Sequence, residues 1–464
     1  MLRRSYIAAV LLSFVLVGSG VAKDDGAIVY TGDASAWSQF VSPVHYPITL
    51  AGNFGEPRPN HFHGGIDIKT DREEGKLIHA IGDGYVSRVC VGMNGFGNVV
   101  YVSHPNGYTS IYAHLKGFSS KIASLVRRYQ YQHQTYICDV ELGAADMPVS
   151  KGQFIAFSGN TGASFGPHLH LEILDAKGNK VDPLEYLKSQ VTDTTAPEIL
   201  SFRAYPQAGQ GIFESKAAPS THGFDREFTA WGAVGFSLRA NDHMEGEYNN
   251  YGIYDMQMYV DDQLTFHSVM SYFPVSGNPM VNLWGDYDEY RRTGIWFMKT
   301  FMEPDLNLPM LYAPADRGII HFREERPYRV KFVTSDIFGN TSERSFVVNA
   351  RRTEFPPVNQ VTENKETRQD KPVPEDNEGP IISPQSLTPS ALSLRITDRM
   401  SAVKNYQAWL DGKFILFENP QNNWSIVCNL ADTPVKPTGK PRTLRVVAVD
   451  KCDNTSEWTE TITY

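Results

Sequence analysis

Two short histidine motifs, far apart in the chain, place the strongest constraint on how this protein can fold. The later motif, Gly-Pro-His168-Leu-His170, has two histidines two positions apart, and such side chains on a β-strand point to the same face. The earlier motif, His63-Gly-Gly-Ile-Asp67, supplies an imidazole and a carboxylate about a turn apart, with two glycines that allow a tight bend. We therefore predict a fold that brings both motifs to one groove as a divided metal site.

The donor types in these motifs suit zinc. Catalytic zinc sites commonly take three nitrogen or oxygen ligands from the protein and leave the fourth position for water. Two histidines and one aspartate meet that need, and one histidine is left over for proton transfer. His61 lies beside the earlier motif and could compete as a ligand, but the spacing to Asp67 favours His63. We expect three further histidines to be of the commoner structural or solvated kind: His79, His104 and His133.

The ordered set of motifs resembles the lysostaphin/LytM-type zinc metallopeptidases, a family that cuts peptide bonds in bacterial peptidoglycan. The resemblance covers roughly residues 48–187. It rests on five blocks in this order: Asn53-Phe-Gly55, His63-Gly-Gly-Ile-Asp67, Tyr112-Ala-His-Leu115, Ser158-Gly-Asn-Thr-Gly162 and Gly166-Pro-His-Leu-His170.

The resemblance implies a role for each motif residue. His63, Asp67 and His170 would bind one zinc ion, and His114 and His168 would be catalytic. Zinc lowers the pKa of a bound water to about 7. One catalytic histidine would then move the proton of that water to the leaving amine, and the other would hydrogen-bond to the oxyanion. The sequence does not say which does which. No H-E-x-x-H motif occurs, which excludes a thermolysin-like helix with a glutamate base.

The first 22 residues have the pattern of a signal peptide. Arg3 and Arg4 precede an apolar run at 6–17, and the small residues at 18–22 favour cleavage after Ala22. The run is short for a membrane span, so we predict an exported protein with no stable membrane insertion after cleavage. An uncleaved N-terminal anchor is the alternative. The absence of wall-anchoring signals favours the periplasm, with an extracellular location as the second option.

Charge and cysteine content limit which classes of partner and which cellular compartment are expected. The net charge is −9, and it becomes −11 when the two arginines of the leader are removed, which argues against a nucleic-acid partner. Four cysteines suit an oxidising compartment. Cys428 could pair with Cys452, and Cys90 with Cys138, but free thiols are the alternative and spacing cannot decide. The glycine-rich run at 92–97 lacks a P-loop ending and predicts a hairpin turn.

The predicted fold is mainly β: an antiparallel β peptidase domain with a zinc groove at 23–190, followed by two β-sandwich (Ig-like) modules at 191–352 and 378–464. A Pro- and Glu-rich segment at 353–377 predicts a flexible linker between the modules. Alternating or apolar runs predict five strands of the peptidase: 84–91, 98–103, 108–115, 153–158 and 168–174.

Residues 116–149 are an insert within the peptidase. Ile122, Leu125, Val126 and Tyr129 have helical spacing, which predicts an amphipathic helix. Because the insert directly follows the motif at 112–115, it could form a wall or lid of the groove. The alternative, a helix packed on the back of the sheet, is equally compatible with the sequence.

The two modules repeat a pattern of aspartates and asparagines. Asp193-Thr-Thr-Ala-Pro and Asp376-Asn-Glu-Gly-Pro open the two units, and Asp336-Ile-Phe-Gly-Asn and Asp450-Lys-Cys-Asp-Asn lie near their ends. Each ending follows an apolar strand, at 328–334 and 442–449, which predicts a hairpin late in a β-sandwich and resembles bacterial Ig-like modules. The shared residues could bind calcium, but stabilising a turn is their usual role. The first unit is long, which predicts an insertion in the aromatic region 251–301.

The favoured function is an exported zinc metalloendopeptidase that hydrolyses peptide bonds in peptidoglycan stems or cross-links. One alternative is a non-enzymatic or latent regulator of cell-wall hydrolases that uses the same domain for binding. Another is an adhesion or scaffold protein in which the β-modules dominate. The expected partners are peptidoglycan peptides, with a protein partner through the β-modules as a further option.

Overall fold

A computed structural model describes residues 21–24, 27–30, 40–355, 375–418 and 424–464. The predicted signal peptide therefore lies outside the described residues except for its last two positions, and so does most of the predicted linker. Among the described residues, no helix is long and apolar enough to cross a membrane.

The N-terminal region, residues 40–190, is built on antiparallel strands. Its main sheet has the order β12-β8-β9-β10-β15, with β6 on the other edge of β15 and β3 on β6, and β11, β14 and β7 form a smaller sheet. Up to residue 190 the elements are β1 Val21–Asp24, β2 Ala27–Tyr30, β3 Leu50–Gly52, β4 Pro57–Arg58, β5 His61–Phe62, β6 Ile66–Lys69, β7 Leu77–His79, β8 Gly84–Val91, β9 Val99–Ser103, β10 Thr109–Ala113, β11 Gly117–Phe118, α1 Ser120–His133, β12 Cys138–Glu141, β13 Pro148–Val149, β14 Phe154–Phe157, β15 His168–Leu174, β16 Lys180–Val181, α2 Leu184–Leu187 and a 3₁₀ turn at Lys188–Gln190. All five predicted strands are confirmed.

The strand β15 shows why a sheet of this sequence creates a groove. Leu169, Leu171 and Ile173 are fully buried in the core, since alternate residues of a strand face opposite sides. The intervening residues, His168, His170 and Glu172, lie on the other face. The same seven residues thus supply both a packed underside and a polar upper surface.

The first β-module, residues 191–352, is a sandwich with a phenylalanine-rich core. Phe202 and Phe346 stack at its centre with ring centroids 4.2 Å apart. The strands β18-β17-β19 form one half of the sheet and β27-β26-β20-β21-β24 the other, joined where β19 and β27 pair in parallel. Its elements are β17 Glu198–Phe213, β18 Ser220–His222, β19 Phe228–Asn241, β20 Asp255–Val260, β21 Gln263–Val269, β22 Tyr272–Phe273, a 3₁₀ helix at Val275–Met280, α3 Val281–Trp284, α4 Tyr287–Thr293, β23 Met298–Lys299, β24 Leu311–Tyr312, a 3₁₀ turn at Asp316–Gly318, β25 Ile320–Phe322, β26 Pro327–Ser335 and β27 Thr341–Ala350.

The second β-module, residues 378–464, has two sheets, β28-β29-β32 and β31-β30-β33-β34. Its elements are β28 Ile381–Leu387, β29 Ala391–Thr397, β30 Val403–Leu410, β31 Lys413–Phe414, β32 Ser425–Asn429, a 3₁₀ turn at Leu430–Asp432, β33 Pro441–Asp450 and β34 Thr455–Thr463. The hairpins predicted near the end of each module are confirmed as β26–β27 and β33–β34. The resemblance to Ig-like modules stays a prediction.

The extra chain of the first module overlaps the predicted insertion region, 251–301, only in part. The strands β20 and β21 lie inside 251–301, yet β20 pairs with both β21 and β26, just as β30 pairs with both β31 and β33 in the second module. They are therefore part of the common sandwich. The extra chain lies after β21 and before β26, where the two short helices α3 and α4 are found.

The regions are not separate bodies. The strand β16 of the N-terminal region pairs with β22 of the first module, with Val181 opposite Tyr272. The domain bounds predicted from the sequence thus stay a prediction, because one sheet runs across the first of them.

The predicted helix in the insert is confirmed as α1, but it does not cover the groove. Ile122 and Val126 are buried against the N-terminal region, and α1 contacts β8, β11 and β12. The residues just after the helix contact the second module, where Tyr136 stacks on Tyr406 at 4.8 Å and Gln134 accepts a hydrogen bond from the indole of Trp409. The insert is a docking site for the second module.

All four cysteines are free thiols in the structure, so neither possible disulfide is present. The reason for the first pair is geometric: Cys138 lies opposite Val91, and Cys90 lies opposite Asp139. Because neighbours along a strand face opposite sides, the two thiols point away from each other. In the second pair, Cys428 is buried in β32 while Cys452 is exposed in the last hairpin turn.

Candidate metal centre and groove

Three neighbouring strands carry the two histidine motifs to one place. In the β6–β15 pair, Asp67 lies directly opposite His170, and in the β15–β10 pair His170 lies opposite Ala113. His63 precedes β6 and His114 follows β10, so both reach the same face. Register alone therefore assembles residues that are more than a hundred positions apart.

The three residues predicted as zinc ligands converge on one point. His63 Nε2 lies 3.1 Å from Asp67 Oδ1 and 3.1 Å from His170 Nδ1, and the last two atoms are 2.8 Å apart. All three side chains are buried. Ligands about 2.0–2.1 Å from a tetrahedral zinc ion are about 3.3 Å apart, so this donor set fits zinc with only a small expansion.

Hydrogen bonds set which nitrogen of each histidine faces the centre. His63 Nδ1 lies 2.6 Å from the carbonyl oxygen of Asn53, and His170 Nε2 lies 3.1 Å from Glu172 Oε1. These acceptors assign the ring protons to His63 Nδ1 and His170 Nε2. The opposite nitrogens, which face the centre, are then free to donate lone pairs, as metal-binding histidines require.

Glu172 contacts the donor set through His170, and the sequence reasoning missed it. It is 2% exposed, and Lys180 Nζ donates to its Oε1 at 2.7 Å. Burial would raise the pKa of Glu172, but His170 and Lys180 lower it to about 2. A signal was present in the sequence, because Glu172 is two positions after His170 on the same strand face.

The charges at the centre reinforce one another. Burial would raise the pKa of Asp67, but the surrounding histidines hold it well below its usual range. Burial likewise opposes charge on His170, yet hydrogen bonds to the carboxylates of Asp67 and Glu172 raise its pKa to about 9. For His63, burial dominates and lowers the pKa. Arg58 Nη2 donates to Asp67 Oδ2 at 3.1 Å, which leaves Oδ1 to face the histidines. The carboxylate is thus held ionised and oriented.

The two histidines predicted to be catalytic lie together beside the donor set. The rings of His114 and His168 are 4.8 Å apart, and His168 Nε2 is 3.4 Å from Asp67 Oδ1. His114 Nδ1 lies 2.8 Å from the carbonyl of Thr161, and His168 Nδ1 lies 2.8 Å from that of Gly166. These bonds direct both Nε2 atoms away from the backbone. Burial, with the neighbouring histidines, lowers the pKa of His114 to about 3.

His114 occupies an uncommon backbone conformation. Its φ is 58°, in the left-handed region that non-glycine residues rarely adopt. Its backbone is held on both sides, by donation from its N–H to the carbonyl of Phe96 and by acceptance from the N–H of Thr161. Strain of this kind persists where the surroundings fix it, and it is concentrated at functional sites.

The centre opens into a groove of about 1210 Å³. One rim carries Phe165, whose side chain is fully exposed. The lining also includes Glu247 and Tyr248 of the first β-module. Glu247 forms a salt bridge with Lys69, whose ammonium lies 4.9 Å from the Tyr248 ring. No residue of the insert lines this groove among the residues that the structure describes. Of the two alternatives for the insert, the structure therefore favours packing away from the groove, and the first β-module contributes to the groove lining instead.

The remaining histidines named in the sequence analysis are structural or solvent-exposed and lie outside the donor set. His61 is exposed and its Nδ1 faces the carbonyl of Pro59, outside the donor set. His104 is buried between the carbonyl of Asp83 and the hydroxyl of Ser110. His79 is buried and stacks on another histidine ring, and His133 is an exposed residue at the end of α1.

The two glycines of the earlier motif, Gly64 and Gly65, do not form the tight bend that the sequence predicted. Neither Gly64 nor Gly65 has a positive φ, so no glycine-specific bend is present. A Cβ on Gly65 would lie 2.1 Å from the carbonyl oxygen of Leu171. Gly65 is therefore required for the close approach of β6 to β15. The run at 92–97 is a hairpin turn between β8 and β9, as predicted, with Gly92 donating to the carbonyl of Gly97.

Comparisons with known proteins agree with this geometry. Residues 61–183 match the model of "Peptidase family M23". An "Uncharacterized metalloprotease" of Haemophilus influenzae is 34% identical over 147 residues, covering 32% of this chain and 24% of the relative. The "DD-carboxypeptidase/endopeptidase Mpg" of Neisseria meningitidis is 32% identical over 185 residues, 40% of this chain and 34% of the relative.

Two further matches complete the comparison. The "Murein hydrolase activator NlpD" of Escherichia coli is 35% identical over 123 residues, 26% of this chain and 25% of the relative. Among solved structures, the catalytic domain of lysostaphin from Staphylococcus simulans is 22% identical, covering 30% of this chain and 91% of that chain with a TM-score of 0.23. The chain spans only about a quarter to a third of the length of these three curated relatives. The match at 61–183 contains the metal-donor set and both neighbouring histidines, and this part of the chain is a Peptidase family M23 domain.

Proposed function

We propose that the protein is an exported zinc metalloendopeptidase that hydrolyses peptide bonds in peptidoglycan stems or cross-links. The observation that carries the proposal is the donor set of His63, Asp67 and His170, which has its ring nitrogens oriented for a metal and two more histidines beside it. The name of the Neisseria meningitidis relative supports peptidase activity on such substrates. The N-terminal pattern of the sequence supports export, most simply to the periplasm.

The residues beside the donor set supply the proton chemistry. Zinc bound by the three ligands would lower the pKa of a coordinated water and polarise the scissile carbonyl. His114 and His168 both present Nε2 away from their backbone acceptors. One can take the proton of the attacking water and pass it to the leaving amine, while the other hydrogen-bonds to the carbonyl oxygen. Either assignment is compatible with rings 4.8 Å apart.

The groove is suited to an extended peptide that carries both charges and apolar groups. Its lining combines cations, among them Arg58 and Lys180, with carboxylates such as Glu56. The exposed rings of Phe165 and Tyr248 also line it. Because Tyr248 belongs to the first β-module, we propose that this module takes part in substrate binding.

Digestion of purified peptidoglycan sacculi tests the activity, with products identified by mass spectrometry. The mature protein should release cut peptides, and a chelator should stop the release. His63→Ala should lose both zinc and activity, whereas His168→Ala should keep zinc and lose turnover. Turnover retained by the His168→Ala variant would refute the proposed proton chemistry.

A non-enzymatic activator of other wall hydrolases is the second candidate, because NlpD relatives match the same region. The complete donor set counts against it, since a binding module needs no metal. Zinc-loaded, folded protein that releases no peptides, yet stimulates a separate amidase, would favour this candidate. In that case the β-modules would be the first place to look for the protein partner.

A point variant tests the scaffold hypothesis better than a deletion of the β-modules does. Removing both modules would leave β16 without β22, one of its two partner strands, and would remove part of the groove lining. Tyr248→Ala leaves the fold and the zinc ligands in place. We expect it to raise KM with little change in zinc content, and an unchanged KM would confine the first module to a structural role.

A further inference from the structure

Each β-module contains a cluster of three aspartates, and the two clusters occupy equivalent positions. In each, the ligand-type oxygens of the three side chains lie within 4.8 Å of one another. One aspartate lies five residues before the first long strand, the second follows the next long strand, and the third is at the hairpin of the last two strands. The first triad is Asp193, Asp242 and Asp336, and the second triad is Asp376, Asp398 and Asp450.

Turns satisfy two members of the second triad but only one member of the first in full. Asp336 accepts hydrogen bonds from the backbone N–H groups of Phe338 and Asn340 at 2.8 and 2.9 Å. Asp450 accepts from Cys452 and Asn454 in the same way, at 2.8 Å each. Asp398 of the second triad also accepts from the backbone N–H groups of Met400 and Ser401, at 2.9 and 2.6 Å. These are the bonds expected of an aspartate that stabilises a turn. Asp193 and Asp242 of the first triad each keep a carboxylate oxygen that no turn explains.

The two remaining members of the first triad are buried and incompletely bonded. Asp193 Oδ2 and Asp242 Oδ1 have no hydrogen-bond partner, although their residues are only 7% and 4% exposed. Asp376 of the second triad also has an unpartnered Oδ2, but this residue is only partly buried. Among the described residues, no lysine or arginine forms a salt bridge with Asp193 or Asp242. Buried carboxylates without a counter-charge cost several kcal/mol, so a cation is the missing component.

We propose that the first β-module binds one calcium ion between Asp193, Asp242 and Asp336. The donor set is made only of oxygens, which hard divalent cations prefer. Oxygens bound to one calcium ion at about 2.3–2.6 Å lie at most about 5 Å apart, and those of this triad lie within 4.8 Å of one another. Magnesium usually keeps several waters, and a triad buried as deeply as the first leaves little room for them.

Calcium at the first triad would fix the base of the segment that lines the groove. Asp242 and Tyr251 exchange two backbone hydrogen bonds, at 3.0 and 2.9 Å, which close the loop that contains Glu247 and Tyr248. The same loop is held on the N-terminal region, where Tyr251 donates to the carbonyl of Leu50 at 2.8 Å. This link between calcium and the groove rests on the proposed function, whereas calcium binding itself does not.

Equilibrium dialysis of the full mature protein against radioactive calcium, with magnesium in excess, tests the proposal. We expect one calcium ion per chain, none in Asp242→Asn and one in Asp398→Asn, which changes only the second triad. Asp225→Asn, at an exposed aspartate of the first module outside the triad, should still bind one. Asparagine keeps the shape of the side chain, and circular dichroism verifies that each variant is folded.

Several results would overturn the proposal. Absence of calcium uptake by the wild-type protein would overturn it without any variant, and so would equal uptake by the wild type and Asp242→Asn. Loss of all uptake in excess magnesium would overturn the choice of calcium. Because dialysis measures binding and not cleavage, His63→Ala should still bind one ion, which separates this proposal from the peptidase.

Discussion

Replacing Glu172 should weaken zinc binding although Glu172 is not one of the predicted ligands. Its carboxylate accepts the Nε2 proton of His170 at 3.1 Å and so leaves Nδ1 free for the metal. In metal sites, loss of such a supporting partner typically weakens binding 10- to 100-fold, or about 1.4 to 2.7 kcal/mol. At 2% exposure, water has little access to replace the lost acceptor.

The two ends of that range correspond to two variants. Glu172→Gln keeps an acceptor for His170 but removes the negative charge that increases the basicity of the ring, so we expect about a 10-fold loss of affinity. Glu172→Ala removes the acceptor as well and leaves Lys180 without its partner, so we expect about a 100-fold loss. The contacts of Glu172 predict that the alanine variant loses more zinc affinity than the glutamine variant. The 10- to 100-fold range alone would not give this order.

Competition with a chromophoric zinc chelator gives the affinity of each protein directly. Glu141→Gln and Glu141→Ala, at an exposed glutamate on β12, are the matched controls and should bind zinc as the parent does. Equal zinc affinity in the parent and both Glu172 variants would refute the argument. A larger loss in the glutamine variant than in the alanine variant would refute the assignment of the ring proton.

Three further predictions concern the stability of the fold and, in one case, zinc uptake. Gly65→Ala should separate β6 from β15, lower the free energy of unfolding by about 1–3 kcal/mol and abolish zinc uptake, whereas Gly117→Ala, where a Cβ meets no atom, should do neither. Normal zinc uptake by Gly65→Ala would contradict this. Burial and the nearby Glu185 hold the pKa of Asp182 well above its usual range, so the stability from its protonated form is complete below about pH 3.9 and is lost as pH rises towards the folded-state pKa. Asp182→Asn should therefore reduce the decline of the unfolding free energy above pH 4, by up to about 1.4 kcal/mol per pH unit, and an unchanged decline in denaturant titrations would show that the group is not responsible. Phe202→Ala, in the centre of the first module, should cost about 3–5 kcal/mol by the same titrations, and a cost below about 1 kcal/mol would mean that this core is not tightly packed.

The sequence was sufficient for the parts of the site that depend on local pattern. The two-residue alternation in β15 and the four-residue spacing of His63 and Asp67 predicted which side chains meet, and the structure brings these residues together. The same alternation predicted the strands with errors of one or two residues. Pattern was also enough for α1, because a helix that is buried on one side repeats its apolar residues along the chain.

The sequence was insufficient where contacts depend on the fold as a whole. Tyr248 lines the groove from a position about 180 residues after Asp67, and no periodicity connects the two. The pairing of β16 with β22 and the docking of the insert on the second module are of the same kind. The space around Gly65 could not be predicted either, because the atom that excludes a Cβ belongs to a different strand.

The contact between the insert and the second module has a consequence for the order of folding. Asn405 donates to the hydroxyl of Thr135 across 270 positions of sequence, so an unfolded chain would pay the closure entropy of a very long loop to form this contact. Once the N-terminal region and the first module have folded, the segment after residue 352 alone separates the partners. The effective concentration of the second module is then set by the length of that short tether. If the predicted linker at 353–377 acts as such a tether, we expect docking to be a late, intramolecular association that weakens when the linker is lengthened, without a change to any residue in the contact.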